Sequence, residues 1–244
     1  SDGNGGTVQS MVTITVTPVL DVVDDVVATP EDTPVTIAVL GNDSFESPGR
    51  AITAINGTAI SAGNSTAVAN GTVTLNADGT LLFAPTPNYN GAISFTYTVS
   101  AGGVTETATV TVNVGPVNDP PVPVDPSLPG QSFDPATGNY AGTTTEDAPF
   151  TGRVLAMDAD GDTLTYVIQA SASNGLVSID SATGAYIYTP SADFNGTDSF
   201  VVAVSDGNGG TVQSTVTITV APVPDVVGDT VATPQDTPIT IRGL

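Results

Sequence analysis

The 244-residue chain has no Cys, His, Trp or Lys, and its only cationic side chains are Arg50, Arg153 and Arg242. Each absence excludes a chemistry. Without His there is neither an imidazole base nor the commonest zinc ligand. Without Cys there is no thiol nucleophile, disulfide or thiolate metal site. Without Lys there is no Schiff base and no phosphate-loop lysine. Three guanidinium groups cannot neutralise a nucleic-acid backbone or an anionic membrane surface, so neither is an expected partner. No run approaches the ~20 apolar residues of a membrane span. The N-terminal segment SDGNGGTVQS has neither basic residues nor an apolar core, so it is not read as a signal peptide, and it reads as an internal stretch of something longer.

What is abundant is carboxylate: 25 Asp and Glu give a formal net charge of −22. Carboxylate and backbone oxygens are the ligands that hard cations such as Ca2+ prefer. The chain is nonetheless a folding sequence, with 39% hydrophobic residues and a mean hydropathy of +0.18. Its 26 Gly and 19 Pro stay below the ~25–30% that marks low-complexity disorder. Val, Thr and Ile beside Gly, Pro, Asn and Asp favour short strands joined by tight turns.

Residues 1–40 recur as residues 205–244 with 31 of 40 positions identical, so the sequence repeats with a period of 204. A fainter half-length repeat lies inside. TPEDTPVTIAVLGND at 29–43 matches TTEDAPFTGRVLAMD at 144–158, and PTPNYNGAISF at 85–95 matches PSADFNGTDSF at 190–200. Pro-Val-x-Asp punctuates the chain at Pro18–Asp21, Pro116–Asp119 and Pro222–Asp225. The expected organisation is a final strand of a preceding repeat (1–20), two complete domains (21–118 and 119–224) and the opening of a following repeat (225–244).

Each complete domain offers about seven period-2 segments bounded by Gly, Asn and Asp. In the first they include 34–40, 51–55, 72–75, 80–84, 92–99 and 105–114. In the second they include 150–155, 163–168, 176–179, 185–189, 198–204 and 211–220. Seven short strands per ~100 residues predict an all-β, seven-stranded Greek-key sandwich. Along the closing strand Val216, Ile218 and Val220 are expected in the core with Thr215, Thr217 and Thr219 outside. The Val110/Val112/Val114 and Val12/Ile14/Val16 sets repeat that pattern. Tyr89, Phe95, Phe194 and Phe200 are read as core and corner residues, and Asp78-Gly79 as an ordinary turn.

The carboxylates cluster. Asp158, Asp160 and Asp162 fall within five residues after a strand, and like charges that close repel unless a cation sits among them. The spacing is not that of an EF-hand loop, because glycine stands at the fourth position and Gln169 at the twelfth. Asp206 lies in the hairpin before the last strand, Asn118 and Asp119 in the linker, Glu146 before the first core strand, and Asp193 in the DFNG segment. In an end-to-end tandem of sandwiches these loops gather at the poles. Asn118, Asp119, Asp158, Asp160 and Asp206 are expected together at the central junction, and Glu146, Asp193 and Asp225 at the next. The run from Asp21 to Asp25 reads equally well as a solvated linker.

DADGDTLTY at 158–166 resembles the Asp-x-Asp turn and following strand of cadherin repeats. VVAVSDGNGGTVQSTVTITVAPVPD at 201–225 resembles their last two strands and linker, PVNDPP at 116–121 their calcium linker, and TEDAP at 145–149 the acidic residue that opens each repeat. The whole is most similar to the bacterial cadherin-like, VCBS-type tandem repeats of giant RTX-type surface adhesins, with a cadherin/Ig-like fold. That resemblance implies a secreted, extracellular protein of the bacterial cell surface that supports adhesion and biofilm formation. It also implies Ca2+ bound between successive repeats, stiffening a long fibre. It assigns the central ligands to Asn118, Asp119, Asp158, Asp160, Asp162 and Asp206, and the next set to Glu146, Asp193 and Asp225. The first domain departs from the pattern: Ala101 stands where Asp206 does, and Asn42-Asp43-Ser44-Phe45-Glu46 replaces the triple-Asp turn. Asp21, Glu31, Asp43 and Glu46 remain as ligands there, with weaker expected binding.

Three function classes compete. A calcium-rigidified extender needs no substrate, and tandem repetition favours it. A carbohydrate- or protein-binding module is the alternative, but the absence of Trp and scarcity of aromatics speak against a sugar platform. A glycosidase needs a cleft with one carboxyl held protonated, and nothing in this turn-rich pattern builds one, so no catalytic residue is assigned. The expected partners are neighbouring repeats of the same chain, with any cell-surface or carbohydrate ligand bound elsewhere in the parent protein.

Overall fold

The computed structural model describes residues 9–13, 21–45, 49–224, 232–236, 238 and 240. Strands and turns make up all its regular structure, and the chain divides into two compact units, Ser1–Val117 and Asn118–Leu244.

The first unit contains β1 (Asp25–Pro30), β2 (Val35–Ile37), β3 (Ala51–Ile55), β4 (Thr58–Ala59), β5 (Ser65–Val68), β6 (Gly71–Leu75), β7 (Leu81–Pro85), β8 (Gly91–Ala101) and β9 (Val104–Gly115). They form a five-stranded sheet in the order β1-β9-β8-β3-β4 and a four-stranded sheet in the order β2-β7-β6-β5. β1 runs parallel to β9, whereas β8 and β9 form a long antiparallel hairpin. That hairpin turns through Gly102 and Gly103, both at positive φ (58° and 87°), where a Cβ is disfavoured. Its inward residues Phe95, Tyr97, Val110 and Val112 pack with Ile55, Val73, Leu81 and Phe83. Burying each such side chain is worth about 1.5–3 kcal/mol.

The second unit contains β10 (Val122–Val124), β11 (Gln131–Asp134), β12 (Asn139–Thr145), β13 (Phe150–Arg153), β14 (Leu155–Met157), β15 (Thr165–Ala170), β16 (Gly175–Ile179), β17 (Ala185–Pro190), β18 (Gly196–Ser205) and β19 (Thr211–Ala221). Its sheets run β11-β12-β19-β18-β15 and β13-β17-β16, with a two-stranded β10-β14 ribbon. The core holds Tyr140, Tyr186, Tyr188, Phe200, Val202, Val216 and Ile218. Phe95, Phe200 and the two closing-strand Val/Ile sets are buried as expected, and Tyr89 and Phe194 pack partly buried against the cores. Val12 is 78% exposed; Ile14 and Val16 lie outside the described residues.

The expected sandwich is present in both units, with more strands than seven. The extra elements are the insert carrying β4 and β5 in the first unit and the strands β10 and β11 in the second. The predicted strand 34–40 ends at Ile37, because Ala38 accepts a turn hydrogen bond from Gly41 N (2.9 Å). The predicted strand 150–155 breaks between Arg153 and Leu155, so that each half joins a different sheet.

One side chain ties sheets of the second unit together. Gln131 on β11 donates from Nε2 to the Arg153 carbonyl (2.6 Å) and accepts at Oε1 from Arg153 N (2.9 Å) and the Tyr186 hydroxyl (3.3 Å).

Candidate metal centre

The second unit closes its β18–β19 hairpin with five residues, Asp206–Gly210, where the first unit uses the two glycines. The longer loop wraps Asp206: Oδ1 accepts from Asn208 N (2.8 Å) and Gly210 N (3.0 Å), and Oδ2 accepts from Asn118 Nδ2 (2.8 Å). The Asn118 amide, and after it the loop's own N–H groups, hold the Asp206 carboxyl below its ordinary pKa against the opposing effect of burial. A methyl group on Gly210 would stand 2.1 Å from Asp206 Oδ2 and 2.8 Å from Pro120 Cα. Only glycine lets the linker, the loop and the carboxylate approach this closely.

The turn after β14 adds the remaining carboxylates. Asp158 Oδ1 accepts from Asp160 N (3.0 Å) and Asp162 N (3.1 Å), which curls the turn around that side chain. Asp160 Oδ2 accepts from Asp119 N (2.8 Å), and Asp162 Oδ2 accepts from Asn208 Nδ2 (2.7 Å). One carboxylate oxygen each from Asp158, Asp162 and Asp206 then lies within 4.8 Å of the others. Asp158 Oδ2 is buried and has no hydrogen-bond partner among the described residues. Three converging carboxylates, one of them carrying a buried oxygen without a donor among the described residues, match what a hard divalent cation requires. Asn118, Asp119, Asp158, Asp160, Asp162 and Asp206 are thus brought together in one unit.

The other expected ligands are distributed differently. Glu146 is buried and accepts from Val223 N and from Asn195 Nδ2 (3.3 Å), while Asp193 is exposed and its N–H reaches Asp147 Oδ1 (3.4 Å). Asp225 lies outside the described residues, as does Glu46. Glu31 repeats the Glu146 arrangement in the first unit, accepting from Val117 N (2.5 Å), with Oε2 buried and without a partner among the described residues. β1 separates it from Asp21 and Asp43, so these three do not form one site. Asp43 accepts from Val23 N (2.8 Å) and the Tyr97 hydroxyl (3.3 Å), and Asp21 N donates to Glu106 (2.7 Å).

Three carboxylates that sequence reasoning did not single out carry specific roles. Asp24 accepts from Thr109 N (2.7 Å), and Asp25 faces Tyr97 and Asp43; burial above all pushes the Asp25 carboxyl up to about 6. The run from Asp21 to Asp25 is thus built into the unit. Asp198 is buried and accepts from Ser173 N (3.1 Å), Asn174 N (2.8 Å), Ser199 N (2.9 Å) and the Tyr188 hydroxyl (3.0 Å). Burial raises the Asp198 pKa, and these donors together outweigh it, leaving the carboxyl below its ordinary value. Asp78 is the expected turn residue, accepting from Thr80 N (3.0 Å) and Thr80 Oγ1 (2.7 Å).

A family profile described as bacterial Ig domain matches residues 16–113 and again 118–219. The chain belongs to that family. This bacterial Ig chain is similar to the protocadherin gamma B4 extracellular domain, at 20% identity over 83% of this chain and 34% of that one, with a TM-score of 0.43. It is similar to Drosophila N-cadherin EC1-4 at 17% identity over 81% and 49% of the two chains (TM-score 0.49). The human desmocollin-1 ectodomain matches at 15% over 83% and 40% (TM-score 0.43). The chain thus spans about a third to a half of the length of these structures. No curated protein sequence matches it. Ig-like domains of this kind are typically non-enzymatic, and among the described residues no helix is long and apolar enough to cross a membrane.

Proposed function

We propose that the chain is a calcium-binding extender segment of a secreted bacterial surface adhesin of the VCBS-type, RTX kind, whose tandem repeats hold a distal adhesive region away from the cell and so support adhesion and biofilm formation. The observation that carries this reading is the convergence of Asp158, Asp162 and Asp206 oxygens within 4.8 Å beside the orphaned Oδ2 of Asp158. The bacterial Ig match over two consecutive copies and the 204-residue sequence period support the extender role.

The side chains divide the work. Asp158, Asp162 and Asp206 supply the charge that holds Ca2+, and Asp160 and Asp119 add carboxylates at its margin. Asn118 restrains Asp206 through its amide N–H, and rotation of that amide offers a carbonyl oxygen instead. Bound calcium supplies the positive charge that the second unit lacks at this pole. Fastening Asn118 and Asp119 to the second unit takes freedom from the segment that leads into it, which is how a chain of such repeats becomes stiff.

Calorimetric titration of the chelator-treated chain tests the proposal. Saturable Ca2+ uptake that falls at least tenfold in affinity in Asp158→Asn/Asp162→Asn is the expected result. Uptake of equal affinity in parent and double variant would remove this site from the proposal.

A further inference from the structure

The two units treat the same sheet edge differently. β1 pairs in parallel with β9 through Asp25↔Val110, and β12 pairs in parallel with β19 through Tyr140↔Val216, so Asp25 and Tyr140 occupy matching places beside matching Val residues. In the second unit the outer edge of β12 is covered by β11, with Phe133 opposite Tyr140 and their rings 5.0 Å apart. In the first unit nothing among the described residues covers β1. It ends the five-stranded sheet, and Val26 on it is 75% exposed. At the register where Phe133 packs on Tyr140, the first unit instead presents the half-buried carboxyl of Asp25, which faces the Tyr97 hydroxyl, the Asn42 amide and a second carboxylate, that of Asp43. The first unit's single cationic residue, Arg50, lies over the Phe45 ring (5.5 Å).

We propose that the β1 edge of the first unit is a docking site for an extended strand of another polypeptide, added antiparallel as β11 is added to β12, with a Lys or Arg opposite Asp25. The backbone groups of an open edge strand supply affinity, and cross-strand side chains supply specificity. A partly buried carboxyl beside a second carboxylate favours a cation at that position over a neutral or acidic residue. A second copy of this chain fits poorly. Self-pairing of β1 would place Asp25 opposite Pro30, and two bodies of net charge −22 repel. The proposal stands independently of calcium binding by the second unit.

The probe is a short fluorescent peptide of alternating Val and Thr with one central Lys, compared with its Glu counterpart by anisotropy on the intact chain. The Lys peptide is expected to bind about tenfold or more tightly than the Glu peptide. Amide shifts should centre on residues 25–30, and in Asp25→Asn the two peptides should bind alike with the fold intact. Absence of binding, equal binding of both peptides to the parent, or shifts centred elsewhere would overturn the proposal. Concentration-dependent self-association that Asp25→Asn leaves unchanged would assign the edge to a second copy. Displacement of the Lys peptide by Ca2+ in both parent and Asp158→Asn/Asp162→Asn would assign Asp25 to an ion. Either result also overturns it.

Discussion

Calcium should raise the melting temperature of the second unit far more than that of the first. Extracellular calcium modules bind with Kd of ~10⁻⁴–10⁻³ M, so 10 mM Ca2+ corresponds to roughly 10–100 times Kd. Ligand that binds only the folded state then stabilises it by about 1.4–2.7 kcal/mol. For a domain of about 100 residues each kcal/mol moves the midpoint by roughly 4–8 °C, which gives a shift of roughly 6–20 °C. The first unit lacks a comparable cluster among its described residues. Its Asp43 is engaged by Val23 N and Tyr97, and Glu31 lies beyond the far end of β1. Its transition should move by only a small fraction of that amount.

Differential scanning calorimetry with Ca2+, with chelator, and with NaCl at matched ionic strength measures this directly. The NaCl arm is necessary because screening alone relieves self-repulsion in a chain of net charge −22. In Asp158→Asn/Asp162→Asn two of the three converging carboxylates lose their charge, and the calcium shift should shrink to the size of the NaCl shift. A shift reproduced by NaCl, or one of equal size in parent and variant, would refute the reasoning from converging oxygens.

Three further outcomes follow from single contacts. Asp198→Ala leaves three backbone N–H groups without their acceptor and the Tyr188 hydroxyl with only the long contact to the Asn174 carbonyl (3.5 Å), a loss of about 3 kcal/mol in urea unfolding at pH 7. Because the folded carboxyl lies below its ordinary pKa, the stability it contributes is present above about pH 4 and is lost as pH falls through the folded value. The gap between parent and variant should therefore narrow progressively as pH is lowered below about 4. Gly210→Ala forces Asp206 Oδ2 and Pro120 away from the loop, so Ca2+ affinity should fall about tenfold or more with the far-ultraviolet spectrum unchanged. An unchanged titration would show that the approach is not needed. Gln131→Leu strands the Arg153 amide and carbonyl, costing about 1–3 kcal/mol, and hydrogen exchange at the Arg153 amide should accelerate while β18 and β19 remain protected.

What was legible in the sequence was whatever has a period or a short spacing. Strict alternation in 105–114 and 211–220 corresponds to β9 and β19, because each residue's face follows from its parity. The triple-Asp turn was visible because its three carboxylates fall within five residues. The roles of Asp198, Gln131 and Asp25 were not, because their contacts join distant parts of the chain. Asp198 meets residues 24 and 25 positions away, and Gln131 meets Arg153 at 22. No local pattern marks a side chain that caps another segment's backbone. β4 and β5 escaped notice for a different reason. TAISAGNSTAV is mostly small or polar; only Ile60 and Val68 pack partly buried against the core, too few and too far apart to mark an alternation.

The two units answer the same electrostatic problem in different ways, and the hairpin length decides which. Both collect carboxylates after the strand that leads from the Thr-x-Glu-Asp segment, Asp43 in one and Asp158 in the other. In the first unit the Gly102-Gly103 turn is too short to deliver another acidic side chain, and Asp43 is engaged by Val23 N and the hydroxyl of Tyr97. In the second unit the three extra residues of the hairpin loop place Asp206 beside Asp158 and Asp162, and the donors present leave Asp158 Oδ2 unmatched. A chain with three Arg and no Lys or His has no internal cation to spare for that position. Local donors therefore engage Asp43 where the hairpin is short, whereas the Asp158 cluster calls for an external cation where it is long. Transplanting the SDGNGG hairpin loop onto the β8–β9 turn, together with the triple-Asp turn in place of residues 42–46, should confer calcium-dependent melting on the first unit. Transplanting either loop alone should not.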